Sequence, residues 1–290
     1  MRLPTTRALA AVGTSAVLTA AGSVLAPVSA TGTQIWAPAA AATIHPGTMM
    51  YTKGAQCTAN FVYADAAGST YLGYAAHCAG TGGSSATNGC RTGSLPLGTR
   101  VAFSDDGNPA TRGTVVGHGR LVYSSWLTMQ RRHEQRKNVC AFNDLALVRV
   151  RPADVARVNP SVPSLGGPLG IDRDGTAAGD PVYTYGNSSL RAGTSALSVH
   201  IGVSLGDQAA DGGWSHPVYT VAPGIPGDSG SGFLDAQGRA LGVLSTVELA
   251  PLTGENGVGD LAHELRYARL HSGIAGLHLV RGTEPFQPPL

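Results

Sequence analysis

Charge is scarce in this 290-residue chain. Asp, Glu, Lys and Arg make up 13% of it and aromatic residues 6%. The formal balance of +2 comes from Arg2 and Arg7, in a stretch of thirty residues that holds no acid. A chain otherwise in balance carries no electrostatic footprint for nucleic acid or for an anionic membrane, so neither is expected as a partner. Cysteine is also sparse: Cys57, Cys78, Cys90 and Cys140 are the four. None of their spacings is the close CxxC type, which argues against zinc. Asp105-Asp106-Gly107-Asn108 lacks the spaced ligands of a calcium loop. No metal and no cofactor is expected. Trp36, Trp126 and Trp214 are scattered and give no stacking platform.

The apolar stretch from Ala8 to Leu25 is rich in alanine, threonine and glycine rather than leucine, and no cysteine follows it for lipidation. With a basic start and the small residues Val28-Ser29-Ala30, residues 1–30 read as an export signal rather than a membrane anchor. The mature protein is then expected outside the cell, where disulfides persist. Four cysteines allow three pairings.

Glycine is abundant, with 40 residues. Much glycine with little charge suits a loop-rich β protein. Residues 31–45 are Ala- and Pro-rich and read as a linker or short pro-segment. Short β-prone runs follow at 60–64, 70–75, 99–103 and 114–123, and an apolar run follows Asp144. Residues 46–155 thus form a first β unit. Pro and Gly dominate 156–180, the expected connection. A second set of strands lies at 181–186, 195–205, 217–222, 231–234 and 238–247. Leu261 to His271 has helical spacing and Gly273 stops it. Residues 181–282 form the second unit and 283–290 a tail. The fold class expected is all-β: two antiparallel barrels with one C-terminal helix and a cleft between them. The charged run Arg131–Lys137 reads as a solvated loop. The histidines outside the motifs below read as surface or hydrogen-bonded groups. Asn187-Ser188-Ser189 fits a glycosylation sequon, a tripeptide frequent by chance.

Three stretches carry chemistry. Pro226-Gly227-Asp228-Ser229-Gly230-Ser231-Gly232 puts one serine among glycines that curl the backbone easily. A serine hydroxyl is a weak nucleophile until a base takes its proton, and the attacked carbonyl needs donors for its developing charge. His77, in Ala75-Ala76-His77-Cys78, is of the type that takes a proton near neutral pH and returns it. Asp144, in Asn143-Asp144-Leu145-Ala146-Leu147, heads an apolar run and needs a partner there. An aspartate fixes an imidazole's tautomer and stabilises the imidazolium.

These three motifs, in the order His, Asp, Ser, resemble those of the chymotrypsin-like serine endopeptidases in their secreted bacterial form, over about residues 45 to 280. Subtilisins run Asp, His, Ser, and α/β-hydrolases run Ser, Asp, His with a glycine where this chain has Ser231. The resemblance implies Ser229 as nucleophile, His77 as general base then acid, Asp144 as orienter, and the amides of Gly227 and Ser229 as oxyanion hole. It implies disulfides Cys57–Cys78 and Cys90–Cys140, and Ser245 supporting Asp144. It implies a polypeptide substrate and a monomeric enzyme. The chain departs from the family in lacking an Ile-Val-Gly-Gly-type start, so Asp228 needs another partner. Pro223 stands where some members carry a specificity aspartate. Val247 stands where a glycine opens the pocket. With Ser245, these two positions point to small or medium apolar side chains. The alternative reading is a catalytically silent binding module on the same scaffold, and an esterase is a third.

Overall fold

The computed structural model describes Met1 and residues 34–83, 86–247 and 255–289; the export-signal reading lies outside the described residues. One antiparallel sheet is built from β1 (Met49–Thr52), β2 (Ala55–Thr58), β3 (Val62–Ala64), β4 (Thr70–Ala75), β5 (Arg100–Asp105), β6 (Thr114–Ser124) and β7 (Leu145–Val150). A second unit contains β8 (Pro181–Tyr185), β9 (Val199–Ser204), β10 (Ser215–Thr220), β11 (Gly232–Leu234), β12 (Ala240–Val247) and β13 (Glu255–Asp260). The last strand, β14 (His278–Leu279), returns to the first sheet and pairs with β3. The first sheet runs β14-β3-β4-β7-β6-β5-β1-β2, and the second unit closes as β10-β13-β12-β11-β8-β9. The all-β, two-unit architecture holds, with the first sheet left open between β14 and β2 where the second closes by hydrogen bonds.

Sequence pattern explains the placement. β4 is buried at all six positions, and β7 at five of six with only Arg149 exposed. Near-continuous apolar strands of this kind belong at the centre of a layer covered on both sides. They pair with each other there, Ala75 opposite Leu145 and Leu72 opposite Val148. β9 instead alternates, with His200, Gly202 and Ser204 inward, as a strand with one wet face must.

Among the described residues three α-helices interrupt the strands: α1 (Ser125–Arg131), α2 (Lys137–Phe142) and α3 (Leu261–His271). The charged run 131–137 is largely exposed, but its ends close α1 and open α2. α3 begins at the predicted residue. The side chain of Asp260 caps it by accepting from the His263 N–H at 2.6 Å. Its buried face, Leu261, Glu264, Leu265, Tyr267 and Ala268, is mostly apolar. Leu261, Leu265, Tyr267 and Ala268 join the core of the first sheet, with Leu72, Tyr74, Leu147 and Val148. The closed barrel has a far smaller apolar centre of Val182, Val218, Phe233, Leu241, Leu244 and Val258. Disulfides join Cys57 to Cys78 and Cys90 to Cys140. Among the described residues no helix is long and apolar enough to cross a membrane.

Candidate active site

Asp144 precedes β7 and is 2% exposed. A buried carboxyl is costly unless its lone pairs are satisfied. Here they are: Oδ1 accepts the backbone N–H of His77 at 2.8 Å, while Oδ2 bonds His77 Nδ1 and accepts from Ser245 Oγ, both at 2.6 Å. His77 sits in the single turn Ala76–Ala79 that follows β4. The Cys57–Cys78 disulfide ties that turn to β2, and Trp126 of α1 lies 6.4 Å from the imidazole, centroid to centroid. Because Nδ1 faces Asp144, Nε2 is the free edge, and no protein group bonds it among the described residues. Burial pulls the His77 pKa down, but the charge of Asp144 and its hydrogen bond outweigh that and raise it above the ordinary 6.5. The sulfurs beside the ring are joined in a disulfide and so are not thiolate ligands for a metal.

Ser229 belongs to the other unit, in the turn before β11. That turn is tied to the first sheet from below. Thr58 N–H donates to Ser229 O at 2.9 Å, and Thr58 Oγ1 donates to Gly227 O at 2.8 Å. Gln56 Nε2 reaches Gly227 O and Asn187 O, each at 3.1 Å. Gly227 and Gly230 have φ of +103° and +89°. A Cβ on Gly230 would stand 2.7 Å from both Ala75 N and Thr58 O, so no side chain fits between this turn and the strand leading to His77. Among the described residues the N–H groups of Gly227 and Ser229 have no protein acceptor, and Ser229 Oγ makes no hydrogen bond, to His77 or otherwise.

The carboxyl of Asp228 fixes the turn from inside and is 1% exposed. It accepts from Ser188 N–H and Ile225 N–H at 3.0 Å each, and pairs with the guanidinium of Arg191. An arginine within the chain therefore meets the charge of Asp228. Asn187 is used in the same seam, its Nδ2 donating to Gly47 O at 2.8 Å.

Beside Asp228 a narrow cleft enters the closed barrel, lined by Thr184, His200, Thr220, Gly224, Leu244 and Asn256 among others, with no room for a water molecule. Asn256 crosses it, donating to Thr220 Oγ1 at 2.8 Å and accepting from Gly224 N–H at 2.9 Å. Both ring nitrogens of His200 meet backbone carbonyls, at 2.7 and 3.1 Å. Of the residues read from sequence as substrate-binding, Pro223 is exposed and does not line this cleft, and Ser245 is turned to Asp144. The side chain of Val247 lies outside the described residues.

Sequence reasoning missed Arg191, Asn256 and Glu264. Arg191 lies in a Ser- and Gly-rich loop with no pattern. Asn256 lies in β13, whose sequence Glu255-Asn-Gly-Val-Gly-Asp has no strand signal. Glu264 had one signal, an acid among Leu261, Leu265 and Ala268 on the inner face of α3.

No protein-family model matches the chain, and no curated protein matches it in sequence. Solved structures do match, and they are serine proteases. Thermobifida fusca protease A is similar at a TM-score of 0.49 and 19% identity, over 82% of this chain and 99% of that one. The Nocardiopsis protease gives 0.46 and 18%, over 81% and 98%. A glutamic acid-specific serine protease, described as using a histidine triad in substrate binding, gives 0.47 and 17%, over 82% and 100%.

Proposed function

We propose that the chain is a secreted, chymotrypsin-like serine endopeptidase that hydrolyses peptide bonds through an acyl-enzyme. The observation that carries this reading is the pairing of Asp144 with His77, with Nε2 left as its free edge, beside a serine turn hydrogen-bonded to β2, the strand that the Cys57–Cys78 disulfide ties to the His77 turn. In the mechanism, His77 Nε2 takes the proton of Ser229 Oγ as the oxygen attacks the substrate carbonyl. Asp144 holds the Nδ1–H tautomer and stabilises the imidazolium that forms. The amides of Gly227 and Ser229 receive the oxyanion, a role for which their freedom from protein acceptors suits them. His77 then protonates the leaving amine, and a water repeats the sequence on the acyl-enzyme. The Arg191–Asp228 pair supports a turn set without processing of the N-terminus. The two disulfides support an extracellular location.

The closed cleft beside Asp228 favours a second reading, a silent or very selective relative. Labelling with a fluorophosphonate, beside Ser229→Ala and His77→Ala, separates them. The endopeptidase reading expects an adduct on Ser229 in the wild type alone and cleavage of a peptide library at internal bonds. A folded, disulfide-bonded wild type that takes no label supports the silent relative. Labelling with cleavage of esters but not peptides supports an esterase.

A further inference from the structure

Glu264 lies on α3 and is fully buried. It is a carboxyl in the interior with no cation: no Lys, Arg or His pairs with it among the described residues. Its Oε1 accepts the backbone N–H of Asp144 at 2.7 Å, and its Oε2 meets no partner among the described residues. That N–H is the one polar group of Asp144 not engaged by the His77 turn or Ser245, since Asp144 O already accepts from Ala76 N–H at 2.6 Å. Gly259 lets the helix side chain approach: a Cβ there would stand 2.8 Å from Glu264 Oε1 and 2.9 Å from Phe142 O.

We infer that Glu264 is a positioning residue for the catalytic aspartate, holding the head of β7 from behind through its hydrogen bond to the Asp144 N–H. The inference rests on the endopeptidase reading for the word catalytic and on geometry for the rest. Asp144 at the head of β7 and Asp260 at the cap of α3 both oppose a negative charge on Glu264. Tyr63 on β3 and Tyr123 on β6 lie close enough to feel the charge of the same carboxyl, and Tyr267 of α3 acts on Tyr123 in the same way. Burial, the largest cause, and those two aspartates push Glu264 well above the ordinary 4.5, and the single bond from Asp144 N–H does not offset them. An uncharged acid keeps an oxygen for that N–H without setting a second negative charge behind Asp144.

The anchoring continues into the closed barrel. Asp260, four residues before Glu264, accepts or shares a proton with His216 Nε2 at 2.9 Å, and His216 Nδ1 meets Asp207 at 2.6 Å. His216 is 1% exposed and belongs to β10. Asp260 also holds His263 Nδ1 at 2.7 Å. Asp144 is therefore held twice by the chain from the closed barrel's β12 onward: by Ser245 of β12 at its carboxyl and by α3, which continues from β13, at its N–H.

The test compares Glu264→Gln and Glu264→Leu with the wild type in the full disulfide-bonded protein. Folded Glu264 keeps its proton above pH 4.5 while the unfolded chain releases it, so the wild type loses stability relative to Glu264→Gln as pH rises above 4.5. The expected gap grows by about ten-fold in the unfolding constant per pH unit until folded Glu264 ionises. Glu264→Gln is expected to retain the low-field Nδ1–H resonance of His77 and a wild-type kcat. Glu264→Leu is expected to shift or broaden that resonance and lower kcat roughly ten-fold with KM held. Parallel stability–pH curves for wild type and Glu264→Gln, a Glu264→Gln that does not fold, or a Glu264→Leu with unchanged resonance and kcat would each overturn the inference. If Glu264→Leu does not fold, the Gln comparison decides. The stability and resonance measurements need no substrate. A wild type that meets them yet never labels refutes the protease reading and not the placement of Glu264.

Discussion

The two units hold their share of the site by different physics. Around Asp144 and His77 the first sheet supplies a large apolar core, with α1 and α3 packed on it. Around Ser229 the closed barrel has a small apolar centre of its own, lends Tyr183, Leu234, Ala240 and Val243 to the larger core, and relies on buried polar groups: Asp228 with Arg191, His216 between two aspartates, and Asn256 across the cleft. Apolar burial is non-directional and tolerates small shifts, whereas a buried hydrogen-bonded pair fixes geometry and fails abruptly when one partner goes. The half that must hold a proton acceptor in one tautomer is buttressed by packing. The half that must hold backbone amides in one orientation is held by directional bonds.

The largest expected effect comes from the packed half. Asp144→Asn keeps the shape but no longer anchors the Nδ1–H tautomer, and is expected to lower kcat/KM about 10⁴-fold with the fold retained. It is also expected to lower the His77 pKa, because the charge that raises it is gone. Kinetics beside circular dichroism checks both. A loss of fold instead of rate would mean that packing does not support this half without the carboxylate.

The next tests the polar half. Arg191→Met leaves Asp228 buried and unpaired, with 10% and 1% side-chain exposure for the two partners. A destabilisation of about 3–5 kcal/mol is expected, with loss of the Ser229 turn and of fluorophosphonate labelling. Chemical denaturation and labelling of the same sample measure it. Arg191→Met together with Asp228→Asn should recover part of the stability and little of the labelling. Little change in the single variant would remove the contrast between the halves.

The smallest effect serves as the control. Arg136 is 64% exposed at its side chain and pairs with Glu134 on the surface. The arginine's hydrogen bonds, the largest cause, take the Glu134 pKa down to about 2. Screening by solvent leaves such a pair worth no more than about 1 kcal/mol, so Arg136→Ala is expected to move the unfolding midpoint little and the labelling rate not at all.

The same contrast explains what the sequence disclosed. His77, Asp144 and Ser229 stood out because each sits in a local pattern of small or apolar neighbours, and β4 and β7 were legible because their burial is nearly continuous. The polar supports were not. Arg191 reaches Asp228 across 37 residues and Glu264 reaches Asp144 across 120. No local periodicity records such a meeting. β1, β2 and β13 escaped for a related reason: short strands such as Ala55-Gln-Cys-Thr carry mixed polarity, and their pairing partners decide them. The pocket residues were read from register alone. Asn256, which crosses the cleft, has only its burial to mark it.

The rate of fluorophosphonate labelling of the wild type as a function of pH tests the central claim most directly. His77 must be unprotonated to take the Ser229 proton, and Asp144 holds its pKa up. The rate is therefore expected to rise with pH through a single inflection above 6.5 and then level off, with the adduct on Ser229. An inflection at or below 6.5, or a rate that does not change with pH, would contradict the account.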